Sequence, residues 1–215
     1  MLVESIVAIV LLVCLVCFFS VNLHNILVVH RRRGHEKVSA EVEYPSGFIV
    51  NIAGFGTFVY FFEVLAYLFL VFSGLAFLLY DAPLYFGLLL ASYTQGLGLM
   101  STIIGYLLFI WSVIARGQYA TSWGMPENQK LVTWGPYKHV RHPSYLGYFL
   151  MFFGLLLIWP NLFTLIPLSA IPGYLCVAAK EEKLLTQRFG DEYLDYQRKT
   201  GRFIPRFRHF LADCF

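Results

Sequence analysis

Apolar residues run through the chain in five long stretches, Leu2–Val29, Phe48–Tyr80, Leu84–Ala115, Tyr145–Trp159 and Leu162–Ala179, separated by short polar segments. A helix needs about 20 residues to cross a ~30 Å hydrocarbon core. The pattern therefore predicts an all-α, polytopic membrane protein with about five transmembrane helices. The second and third stretches exceed one span, yet two spans and a turn need about 40 residues or more. Each is expected to form one long, tilted or protruding helix. The last two are short and meet at Trp159-Pro160-Asn161, which reads as a tight turn between antiparallel helices, with Pro167 and Pro172 bending the second. Leu2–Val29 lacks a basic leading region and a small-residue cleavage site, and reads as a span rather than a removed signal.

Charge orients this arrangement. All 16 Lys and Arg fall in Arg31–Lys37, Arg116–Arg141 and Lys180–Arg208, three segments that a five-span topology puts on one side. The positive-inside rule makes that side cytoplasmic, with the N-terminus outside and the C-terminus cytoplasmic. Composition agrees: 58% of residues are hydrophobic and 13% charged, and mean hydropathy is +0.64. The net charge of +3 is then a signal for topology and lipid headgroups. Arg31-Arg32-Arg33 reads as a membrane stop, and no nucleic-acid partner is expected. Nor does any segment read as an obligate protein-binding module. Residues 1–115 form a unit of three spans, and residues 116–215 a second unit with a two-helix membrane hairpin and a cytoplasmic C-terminal helix.

Several chemistries find no support. Cys14 and Cys17 lie inside the first apolar stretch, where such spacing serves helix packing, and no metal site is expected. Ala212, not a cysteine, stands fourth from the end, so a prenylated terminus is not expected. Gly54-Phe-Gly56 and Gly96-Leu-Gly98 do not complete a dinucleotide-binding pattern. Small residues four apart at Ser92/Gly96, Gly98/Thr102 and Ser101/Gly105 suit close helix packing in lipid. Glu63 is the one ionisable residue expected near mid-membrane, where such groups are costly.

The polar blocks Gly117–Ser144 and Lys180–Phe215 meet at one membrane surface if the fourth and fifth helices form a hairpin. Pro143 suits the first turn of the fourth helix, which gathers Arg141, His142, Ser144 and Tyr145 at its start. Helix N-termini favour anions, His142 and Tyr145 add donors, and Arg141 adds fixed charge. Lys180-Glu181-Glu182-Lys183 sets two carboxylates at the same level, suited to an ammonium or a proton. Leu185, Phe189, Tyr193 and Tyr196 form an apolar stripe that Gly190-Asp191 divides in two.

Leu131-Val132-Thr133-Trp134-Gly135-Pro136-Tyr137, Arg141-His142-Pro143-Ser144-Tyr145-Leu146-Gly147, Glu181-Glu182, Phe189-Gly190-Asp191-Glu192-Tyr193-Leu194-Asp195-Tyr196 and Arg202-Phe203-Ile204-Pro205 follow in order. Together they resemble the isoprenylcysteine carboxyl methyltransferase family, whose wider group includes phospholipid methyltransferases. The resemblance implies a membrane-embedded methyltransferase that uses S-adenosylmethionine, bound in a cytoplasm-facing pocket of the C-terminal helices. It implies cofactor contacts at Gln129, Lys130, Leu131, Val132, Tyr137, His142, Pro143, Ser144, Tyr145 and Glu181. Within that pocket the helix start and His142 suit the cofactor carboxylate, and Glu181 its ammonium. Arg141 and Glu182 are the candidate catalytic residues.

The acceptor would be lipophilic, entering from the bilayer with its reactive head at the cytoplasmic surface. A prenylcysteine-type carboxylate is the first candidate; a phospholipid amine or a thiol follows, and for an amine Glu182 is the candidate base. Two positions depart from the family pattern. Gln129 stands where His is frequent, and Val177 stands where carboxyl methyltransferases carry a substrate-binding Arg, leaving Lys180 or Arg141 to compensate. A sterol-reductase-like NADPH enzyme and a non-enzymatic membrane scaffold are the rival classes.

Overall fold

The computed structural model describes residues 4–33, 38–41, 47–81, 85–87, 91–119, 124–126 and 130–206. Their order is α1 (Glu4–Arg33), β1 (Val38–Glu41), α2 (Gly47–Phe72), α3 (Leu78–Asp81), α4 (Ala91–Arg116), β2 (Gly124–Pro126), α5 (Pro143–Ile158), α6 (Ala170–Phe189) and α7 (Asp191–Lys199). The described residues are mostly helical. The exception to the all-α expectation is an antiparallel pairing of β1 with β2. Segments this short and distant carry no periodicity that would announce a ladder.

Among the described residues, four helical segments are long and apolar enough to cross a membrane: Glu4–Leu27, Gly47–Phe72, Ser92–Arg116 and Phe163–Phe189. Pro143–Ile158 is apolar but shorter, at 16 residues. The chain is an integral, multi-pass membrane protein by these helices. The long second apolar stretch is one span followed by a reversal. Gly74, at φ +74°, ends α2, and its N–H and that of Leu75 donate to the carbonyls of Val71 and Leu70 at 3.2 and 2.8 Å. This pair of bonds is a Schellman closure, which requires the left-handed conformation glycine adopts without strain.

The turn after α5 forms where expected, around Asn161. Its Oδ1 accepts the N–H groups of Phe163 and Thr164 at 2.8 and 3.2 Å, while its Nδ2 donates to the Trp159 carbonyl at 3.0 Å. A 3-10 segment, Phe163–Ser169, contains Pro167 and leads into α6, whose first turn holds Pro172. The bend expected at these prolines is thus a change of helix type.

Helices α4 and α5 meet along glycines. A Cβ placed on Gly105 would lie 2.7 Å from the Gly147 carbonyl oxygen, and one on Gly154 would lie 2.7 Å from that of Gly98 and 2.8 Å from the Thr102 nitrogen. Backbones this close leave no room for a methyl group, and without a hydrophobic drive between helices in lipid such contact supplies the attraction. Ser101 adds a hydrogen bond to the Leu150 carbonyl at 2.8 Å. Gly96, by contrast, faces open space. Alanine at Gly96 is expected to be neutral or to stabilise by about 0.5–1 kcal/mol through helix propensity. At Gly154 it is expected to destabilise by about 1–3 kcal/mol through overpacking. Thermal unfolding of the two variants in one detergent compares them; equal midpoints would contradict this account of the seam.

The core of the bundle is aromatic. Phe18 of α1 lies between Phe61, Tyr106 and Phe109, with ring centroids at 5.0, 5.8 and 4.6 Å. Glu63 is buried on α2, and neither carboxyl oxygen has a hydrogen-bond partner among the described residues.

Candidate functional site

The loop before α5 is shaped by its own sequence. Gly135 takes φ +62°, and a Cβ there would come within 3.0 Å of the Ala115 side chain, so glycine lets the loop lie against the end of α4. Trp134 fastens it, its indole N–H donating to the Ala115 carbonyl at 2.9 Å. Pro136 begins a 3-10 turn, and Pro143 is the first residue of α5, as its fixed φ suits.

The segment after α7 returns to this loop. Arg141 N–H donates to the Gly201 carbonyl at 2.9 Å, His142 N–H to the Arg202 carbonyl at 3.1 Å, and Gly201 N–H to the His139 carbonyl at 3.3 Å. Residues 200–206 therefore form a strap across the start of α5. Gly190, at φ +52°, separates α6 from α7 as expected and aims α7 back toward the strap.

Three basic side chains converge on Glu182, whose side chain is only 6% exposed. Its Oε1 accepts Arg141 Nε at 2.8 Å, His142 Nε2 at 3.2 Å and Arg202 Nε at 3.1 Å; its Oε2 accepts Arg202 Nη2 at 2.6 Å. Arg141 also donates from Nη1 to the carbonyls of Thr200 and Gln197, at 2.5 and 3.3 Å, at the end of α7. A carboxylate held by three cationic groups is stabilised in its charged form. It is a poor proton acceptor, so the base role expected of Glu182 does not suit this geometry.

His142 bridges the two carboxylates. Nε2 faces Glu182, and Nδ1 lies 3.4 Å from Glu181 Oε2. Burial alone would lower the pKa of this imidazole, but hydrogen bonds and charge from Glu181 and Glu182 outweigh it and raise the value above its usual range. A carboxylate oxygen thus lies within 3.4 Å of each ring nitrogen, so both nitrogens face acidic side chains of α6. Glu181 differs from its neighbour: its side chain is 31% exposed and its Oε1 accepts the Tyr145 hydroxyl at 2.7 Å. It is oriented from two sides and still reachable.

Aromatic rings extend the site into the bundle. His142 stacks on Tyr145 with centroids 5.5 Å apart and planes 2° from parallel. Tyr145 meets Tyr174 at 4.9 Å, and Tyr174 stacks on Tyr148 at 5.4 Å. Phe203 of the strap lies 5.7 Å from His142, its ring tilted by 38°. The Tyr174 hydroxyl pairs with Thr57 of α2 at 2.7 Å.

Of the expected site residues, Arg141, His142, Tyr145, Glu181 and Glu182 are brought together, with Pro143 and Ser144 buried beside them. Tyr137 is buried, its carbonyl accepting the Tyr196 hydroxyl at 2.7 Å. Burial raises its phenol, against the opposing charge of Arg116 and hydrogen bonds from Ser112 and Ser144. Lys130 is exposed, Leu131 and Val132 are half-buried, and Gln129 lies outside the described residues.

Two residues were not anticipated. Arg202 was legible only as part of a motif. Arg116, at the end of α4, has a buried Nε with no hydrogen-bond partner among the described residues. Its charge acts on the phenols of Tyr137, Tyr145 and Tyr148. Val177, one turn before Glu181, is buried and brings no charge.

Residues 93–192 match the family model described as phospholipid methyltransferase. The protein-S-isoprenylcysteine O-methyltransferase of Tribolium castaneum is 30% identical over 117 residues, covering 52% of this chain and 41% of that protein. Protein-S-isoprenylcysteine O-methyltransferase B of Arabidopsis thaliana is 31% identical over 118 residues, covering 50% of this chain and 57% of that one. The matched stretch thus spans about half the length of these relatives. A solved isoprenylcysteine carboxyl methyltransferase aligns over 76% of this chain and 54% of its own, at 25% identity and a TM-score of 0.47. The likeness to the isoprenylcysteine carboxyl methyltransferase family, drawn first from the motifs, is borne out.

Proposed function

We propose that this chain is a membrane-embedded methyltransferase that moves a methyl group from S-adenosylmethionine to the carboxylate of a lipophilic, prenylcysteine-type acceptor. The observation that carries the reading is the paired state of the two glutamates. Glu182 is buried and held by three cationic groups, whereas Glu181 is oriented by His142 and Tyr145 and remains partly exposed. A carboxylate so placed fits the ammonium of an amino-acid-bearing cofactor, and the start of α5 beside Ser144 fits its carboxylate. The bound cofactor supplies a sulfonium methyl group, the electrophile of the reaction.

The chain's own task is alignment and exclusion of water. Tyr145, Tyr148 and Tyr174 offer aromatic faces, which attract a cation. A carboxylate acceptor attacks without losing a proton, so it needs no base. An amine would need one, and Glu182 is already engaged. Arg116 supplies the counter-charge that Val177 does not. In this reading the basic segments keep the site on the cytoplasmic side and the N-terminus outside, with α5 as a fifth crossing.

S-adenosylhomocysteine at 100 times its Kd should stabilise the protein by about 2.7 kcal/mol. That amounts to roughly 5–10 °C in thermal midpoint, at about 2–4 °C per kcal/mol for a chain of this size. The shift should vanish in Glu181→Ala and His142→Ala, and NADPH should give none. A folded protein that responds to NADPH or to neither ligand would refute the methyltransferase reading.

A further inference from the structure

Glu181 and Glu182 are adjacent in sequence, yet only Glu182 is buried, and Arg202 is one of the three basic groups that engage it. This side chain comes from the strap and is 42% exposed. It grips Glu182 with two nitrogens, Nε to Oε1 at 3.1 Å and Nη2 to Oε2 at 2.6 Å. This two-point contact fixes the carboxylate plane as a single cation would not. With that plane fixed, Glu182 Oε1 meets His142 Nε2, and the ring's other nitrogen is turned to Glu181. Phe203, the next residue of the strap, packs against the same ring and against Phe149.

Resting on the cofactor site proposed above, we infer that Arg202 is a positioning residue, which acts through Glu182 and His142 to hold Glu181 in place for the cofactor's ammonium. The inference goes beyond that reading because Arg202 itself need not touch cofactor or acceptor. The strap completes the site from outside the two helices that carry it. The hydrogen bonds from His142 N–H to the Arg202 carbonyl and from Arg141 N–H to Gly201 tie strap and loop into one unit, so Arg202 is held in register with the groups it controls.

The groups facing His142 decide what its removal should do. They are Glu181 and Glu182 from α6, Arg141 beside it in the loop, Tyr145 from α5, and Arg202 and Phe203 from the strap; Gln197 and Tyr193 of α7 face Glu182 from beyond. Deleting the Arg202 charge leaves Glu182 less neutralised beside Nε2. That favours the imidazolium, so the titration of His142 should move to higher pH.

Two readings test this in the 215-residue chain in nanodiscs. The first is the pH titration of His142 without ligand, followed by nitrogen NMR on histidine-labelled protein, with the signal identified by its loss in His142→Gln. The second is S-adenosylhomocysteine affinity by calorimetry. Arg202→Gln should raise the titration midpoint and weaken affinity about tenfold, a coupling of ordinary size. Ile204→Ala, on the same strap and 72% exposed, should change neither. If Arg202→Gln does not fold, Arg202→Lys decides, with smaller changes in the same directions. An unmoved His142 titration, or unchanged affinity in a variant of wild-type stability, would overturn the inference. Wild-type protein that binds no S-adenosylhomocysteine while the titration still moves would instead defeat the cofactor reading and leave the Arg202-to-His142 linkage standing.

Discussion

Glu182→Ala should cost the folded protein about 3–5 kcal/mol, the range found when one partner of a buried ion pair is removed and the other stays behind. The Arg141 side chain is 9% exposed and cannot turn to solvent without abandoning its bonds to the carbonyls of Gln197 and Thr200. His142 would lose one of its two carboxylates, and the strap its anchor. At about 2–4 °C per kcal/mol the thermal midpoint should fall by roughly 6–20 °C. Glu182→Gln keeps an acceptor of the same shape and should cost less. Adding Arg141→Ala to Glu182→Ala should cost little more, since the charge left unpaired is then gone. Glu181→Ala supplies the contrast: its partly exposed carboxylate contributes little to stability, so the midpoint without ligand should barely move while ligand binding is lost. Equal sensitivity at positions 181 and 182 would sink the division of labour between them.

That division was only half legible in the sequence. The position of Pro143 and the run Lys180 to Lys183 were enough to predict that Arg141, His142, Tyr145, Glu181 and Glu182 share one surface, because a two-helix hairpin returns the chain to its starting level. Part of what sets the two glutamates apart is Arg202, which lies 20 residues beyond Glu182. No periodicity links a strap to a helix start; only the turn at Gly190 brings them together. The α4–α5 seam was likewise read in part. Spacing of four picked out Gly98 and Gly105, but also Gly96, where an added Cβ would meet nothing within 4 Å. The residues that meet are seven apart on both helices, Gly98/Gly105 and Gly147/Gly154, the repeat of two helices running nearly alongside each other. Hydropathy alone overstated the second stretch, because Leu75 to Tyr80 remains apolar after the helix has ended at Gly74.

Arg116→Gln should reduce methylation of a carboxylate acceptor by about 10²–10³-fold, the loss typical when a group aimed at the reacting oxygen is removed. The position expected to carry the acceptor's counter-charge holds Val177, which is buried and apolar. A carboxylate brought from the bilayer edge to that region would lie in a site of low polarity without compensation, a costly arrangement. Arg116 approaches from α4 instead, close to the phenols of Tyr137, Tyr145 and Tyr148. Its buried Nε has no partner among the described residues. An unsatisfied buried donor costs about 1–3 kcal/mol, a cost that an arriving carboxylate would relieve. The reaction to follow is transfer of labelled methyl to an S-prenylated cysteine bearing a free carboxylate. A thiol and a phospholipid amine serve as parallel acceptors, and S-adenosylhomocysteine affinity is measured on the same preparation. Loss of carboxylate methylation with affinity intact, and partial recovery in Arg116→Lys, is the expected result. If Arg116→Gln methylates the carboxylate as the wild type does, the counter-charge lies elsewhere; if wild-type protein prefers the amine or the thiol, the carboxylate acceptor itself is wrong. Those two failures separate the role of Arg116 from the choice of substrate, because the first is read within one acceptor and the second across three.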